Sequence, residues 1–86
     1  MVEIVIGHRG WVWVGCVIND TPYQLKISGR CIRRWGTTKG LEELATGPTA
    51  DTVLDTQATI KLHPLAIIAR IECDENAWKA HLKEPQ

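Results

Sequence analysis

Half of the chain's positive charge sits in fourteen positions. Lys26, Arg30, Arg33, Arg34 and Lys39 occupy residues 26–39 with no acid among them, out of ten basic residues in all. Trp35 follows the arginine pair directly, and Thr37 and Thr38 come next, ahead of a leucine-bearing segment. These side chains suit an anion that carries a ring. Guanidinium groups donate paired hydrogen bonds to phosphate or carboxylate oxygens. An indole offers a face to a base or a cation. Threonines at the start of a helix stand beside amides that attract negative charge. Arg30, Arg33, Arg34, Trp35, Thr37, Thr38 and Lys39 are therefore the candidate ligand-binding residues. Alternation on a strand sends Arg33 and Arg34 to opposite faces, so one of the pair would serve a site and the other the fold or a neighbouring subunit. The segment Gly36–Gly40, GTTKG, lacks the spacing of a phosphate-binding P-loop.

Other chemistries find less support. His8, His63 and His81 are far apart, and Cys16, Cys31 and Cys73 form no C-x-x-C pair, so no metal site is expected. Cys31, between Arg30 and Arg33, has the best surroundings for a thiolate, but Cys16 and Cys73 lie in apolar runs where a thiol is inert. Glu42-Glu43 and Asp74-Glu75 are sequence neighbours that point apart on a helix. No catalytic residue and no cofactor is assigned, and the chain is read as a non-enzyme.

The elements that must hold the candidate site follow from pattern. Val2–Ile6 is rich in β-branched residues, and Gly7 and Gly10 bracket a turn around His8 and Arg9. Trp11–Ile18 is apolar on both faces, which predicts a strand buried on both sides, with a bend at Gly15. Tyr23–Ser28 alternates, with Tyr23, Leu25 and Ile27 on one face; Gly29 is expected to break it before a further extended piece, Cys31–Trp35. Thr37 or Thr38 should cap a short helix bearing Leu41, Leu44 and Ala45, closed by Gly47 and Pro48. A loop over Thr49–Gln57 leads to a strand of Ala58, Ile60 and Leu62. Leu65–Cys73 is the last strand, with Leu65, Ile67, Ala69 and Ile71 toward the core. Asp74 caps a final helix carrying Ala77, Trp78, His81 and Leu82 on one face.

The sum is an α+β fold: a small, mostly antiparallel, strongly coiled sheet, SH3-like or an open barrel, with two short helices. Residues 1–83 form a single domain and residues 84–86 a frayed tail. Eighty-six residues bury a modest core, and four of the five aromatic residues are Trp, so Trp11 and Trp13 are the candidate interface of a homo-oligomer. The formal net charge is zero, which argues against a nucleic-acid-binding barrel. The longest apolar run falls well short of a membrane span, and the odd, scattered cysteines fit reduced thiols in a cytoplasm.

Arg33-Arg34-Trp35, Leu41, Leu44-Ala45, Gly47, the aliphatic strand Ala66–Ile71 and the capped helix from Asp74 together resemble a family of short proteins of tailed phages and prophages. The resemblance covers roughly residues 11–82. The chain departs from the family at Trp35-Gly36-Thr37-Thr38, where the family usually reads aromatic-x-aromatic-x-Gly-Ala after the arginines. The resemblance implies a phage-encoded accessory protein in the bacterial host cytoplasm and no particular activity. The expected function is binding that counters a host defence, in its most concrete form capture of an anionic, cyclic nucleotide signal. The alternatives are a protein-only module that docks on a host protein and a small-barrel nucleic-acid binder.

Overall fold

The computed structural model describes residues 1–82; the tail expected over 84–86 lies outside the described residues. Strands β1 (Val2–Gly7), β2 (Val12–Asp20) and β3 (Leu25–Arg34) form a continuous antiparallel meander. Strands β4 (Val53–Leu54) and β5 (Ala58–Leu62) both pair with the far side of β3, so they read as one edge interrupted at residues 55–57. β6 (Ile67–Glu72) returns to pair with the outer side of β1. Every pairing is antiparallel, and the six-stranded sheet stays open. A 3-10 helix (Leu41–Thr46) and one α-helical turn, α1 (Glu75–Trp78), complete the small α+β fold.

The pattern of β2 has its expected consequence: the sheet carries a core on each face. On one face Val2, Ile4, Val12, Val14 and Ile32 meet Leu41, Leu44 and Trp78, which come from the 3-10 helix and α1. The Trp78 indole N–H donates to the Leu44 carbonyl at 2.8 Å, so the buried ring keeps its polar edge satisfied and locks the two helices together. On the other face Val5, Leu25, Ile27 and Leu62 cluster with Trp13, Val17, Ile60 and Ile67, inside the curl of the sheet.

Two glycines let β2 and β3 approach each other closely. Gly15 and Gly29 face each other across β2 and β3. A Cβ built on Gly29 would stand 2.2 Å from the Val14 carbonyl oxygen, and one on Gly15 would stand 2.7 Å from that of Ser28. Only residues without side chains let the two backbones come this close. Gly29 therefore does not break the strand as expected. It lies inside one long strand, Leu25–Arg34, at the point of closest approach to β2.

Other expectations are corrected by packing. Leu65 and Ala69 were expected toward the core, but Leu65 lies in a short turn after Pro64 and is 81% exposed, and Ala69 is exposed too. A register shift between Ile6 and Gly7 changes the phase of the strand, leaving Ile67 and Ile71 as its inward residues. Tyr23 precedes β3 rather than joining it and is exposed. Asp74 caps α1 as expected, accepting from the Asn76 N–H at 3.0 Å, but the α-helix stops after four residues. Among the described residues no helix is long and apolar enough to cross a membrane.

Candidate functional site

The seven candidate ligand residues do not share one surface. Arg30 lies on the helix-covered side of β3, and its guanidinium donates to the carbonyls of Asp55, Leu54 and His81. It ties the interrupted β4–β5 edge to the C-terminal segment, which is a structural use of the charge. The amides of Thr38 and Lys39 also have a partner: both N–H groups donate to the Glu43 carboxylate at 3.1 Å. The expected threonine cap is absent. Gly40 precedes the 3-10 helix with no side-chain cap, and Glu43 reaches back to the amides instead. The place where an anion was expected therefore already holds one of the chain's own carboxylates. Arg34 and Trp35 are exposed at the end of β3, where the Trp35 carbonyl accepts from the Thr52 hydroxyl.

Arg33 stands elsewhere. β3 pairs with β2 through Trp13 opposite Cys31, and Arg33, two residues further along β3, lines the same depression as Trp11. Trp11 and Trp13 stack, with ring centroids 5.9 Å apart and planes within 9°. Trp13 is half-buried against the inner core, whereas Trp11 is 57% exposed. Gly7 makes room for this arrangement, since a Cβ there would come within 2.9 Å of the Trp13 ring. The two tryptophans named as an interface are therefore one stacked unit with an open outer face.

The turn of His8–Gly10 brings Arg9 to the same corner, with Arg9 itself in the left-handed region at φ 62°. Arg9, Gly10, Trp11, Val12, Cys31, Ile32, Arg33 and Asp55 line a depression of about 350 Å³. Arg33 pairs with Asp55 at 3.1 Å, with the arginine side chain 72% exposed. Among the described residues Arg9 has no hydrogen-bond or ion-pair partner. Two arginines against one carboxylate leave the corner with a net positive charge.

Burial pushes the Cys31 thiol up from its ordinary range, and Asp55 adds to this more than Arg33 offsets it. The thiol stays protonated at neutral pH and is a poor nucleophile. Among the described residues no group of three or more His, Cys, Asp and Glu side chains is placed to hold a metal ion.

The residues that the sequence reading missed are Arg9 and Asp55. Arg9 had a usable signal, since a turn bracketed by Gly7 and Gly10 must place it beside Trp11. Asp55 had none, because it arrives from a loop whose position depends on β4 reaching β3. Comparison with protein-family models, with curated proteins and with solved structures yields no match to this chain.

Proposed function

We propose that the chain is a non-enzymatic binding protein, and that the Trp11 corner takes an anionic ligand with a planar ring, of the nucleotide class. One observation carries this reading: an exposed indole, Trp11, stacked on Trp13 and sharing one depression with Arg9 and Arg33. A stacked ring gains about 1–3 kcal/mol from such a platform. The phosphate of the same molecule would take Arg9 and exchange with Asp55 for Arg33, because an exposed ion pair costs little to open. Arg34 and Lys39 would supply longer-range attraction from the neighbouring strand end. The setting, a phage accessory protein acting against a defence in the host cytoplasm, comes from the resemblance carried by Arg33-Arg34-Trp35 and the segments that follow it.

Calorimetric titration against cyclic and linear nucleotides tests the proposal. Binding is expected with quenching of tryptophan fluorescence, weakened by about tenfold or more in Trp11→Ala and Arg33→Ala. Absence of binding to every member of the panel would overturn it.

A further inference from the structure

The two edges of the sheet are built differently. The β4–β5 edge is interrupted at residues 55–57 and carries Lys61, which is how an edge is protected from further pairing. β6 is the other edge: its register shift lies at the N-terminal end, and its charges, Arg70 and Glu72, are of opposite sign. Its only strand partner among the described residues is β1, and its sequence from Ile67 to Glu72 holds neither Pro nor Lys.

Register decides which backbone groups remain on β6. The Cys73 N–H donates to the Val2 carbonyl at 3.0 Å. Antiparallel pairing alternates inward and outward groups, so Ala69 and Ile71 also turn their N–H and C=O toward β1, and Arg70 and Glu72 turn theirs outward. The register shift at Ile6/Gly7 ends the regular pairing near Ile68. The regular outer edge is therefore residues 69–73, centred on Ile71.

That segment is complementary to itself. A second copy running antiparallel about Ile71 sets Arg70 opposite Glu72 of the other copy, twice and on one face of the sheet. Glu72 is exposed and has no hydrogen-bond or ion-pair partner among the described residues. Arg70 uses its Nε on Glu3 and its Nη1 on Asp20, which leaves Nη2 to donate. Ile68, exposed, adjoins the N-terminal end of the paired segment.

We propose that β6 is a dimerisation edge on which two copies of this chain pair antiparallel about Ile71, making one sheet continuous across both. Four outward backbone groups per copy and two Arg–Glu pairs make a small interface, so the dimer is reversible and concentration-dependent. The surface is separate from the Trp11 corner and does not depend on the ligand proposed there.

Sedimentation velocity of the full chain from micromolar to millimolar concentration tests this. A monomer–dimer equilibrium is expected. Glu72→Lys, which sets like charges opposite each other, should weaken association by about tenfold or more. Glu72→Pro removes an outward N–H while the pairing to β1 remains, and should give a folded monomer by circular dichroism. Ile71→Cys places two thiols at a pair with Cα atoms about 4.5 Å apart, so mild oxidation should cross-link it well beyond the parent chain. A single monomeric species at every concentration overturns the proposal. So does a dimer that both Glu72 variants leave intact, or cross-linking no stronger at position 71 than in the parent.

Discussion

Two parts of this molecule gather arginine, tryptophan or carboxylate side chains and a thiol, and they use the charge in opposite ways. At the mouth of the sheet's curl, Arg70 on β6 bridges Glu3 on β1 and Asp20 at the far end of β2. Glu3 is 6% exposed and the Arg70 side chain 30%, and the two carboxylates hold the guanidinium above its ordinary pKa range, with Glu3 the larger cause. Here the charges are spent on each other and clamp an open sheet. At the Trp11 corner Arg33 has one exposed carboxylate and Arg9 has no partner among the described residues. The same residue type is neutralised where two carboxylates converge on it, and left in excess where one exposed carboxylate faces two arginines.

The largest effect that tests this contrast is on the clamp. Arg70→Met leaves Glu3 buried without its cation and should lower unfolding stability by about 2–3 kcal/mol, read from the urea midpoint. That figure is reduced from the fully buried case because the arginine is partly in water. A midpoint unmoved by this change would mean that the clamp is incidental.

The second test uses the thiol beside each region. Burial pushes Cys73, near Glu3, up from 9.0 to about 11, and Cys31, near Asp55, is raised in the same direction. A pKa raised in the folded state favours folding fully below the unfolded value and loses that contribution as pH climbs through the folded one. Stability should therefore fall between about pH 9 and 11, and Cys73→Ser should flatten that decline. At pH 8 both thiols should alkylate more slowly than a free cysteine, by mass spectrometry.

The smallest effect belongs to the Trp11 corner. Arg33→Ala should change unfolding stability by less than about 0.5 kcal/mol, because its pair with Asp55 is exposed. A loss near that of Arg70→Met would erase the distinction between the two regions.

Much of the scaffold was legible in the residues. The doubly apolar Trp11–Ile18 run implied a strand with a core on each side, and both cores are present. Asp74 and Gly47 marked helix ends, and both make the expected backbone contacts. The site was less legible. The basic run at residues 26–39 looked like one feature, yet Arg30 bonds three carbonyls, the amides of Thr38 and Lys39 hold Glu43, and of the run's cations Arg33 alone lines the depression beside Trp11. Proximity in sequence overstates proximity in space on a strand, where neighbours face opposite ways.

By itself the chain's pattern determined most of the extended segments, the two apolar faces of β2 and the cap at Asp74, because these depend on neighbours within a few residues. Tertiary structure decided which charges are neutralised. Arg70 meets Glu3 at a separation of 67 residues, Arg30 meets His81 at 51, and Asp55 reaches Arg33 only once β4 has paired with β3. Strand register and the close approach at Gly15 and Gly29 set those meetings, and both arise from pairing between segments rather than from any segment alone.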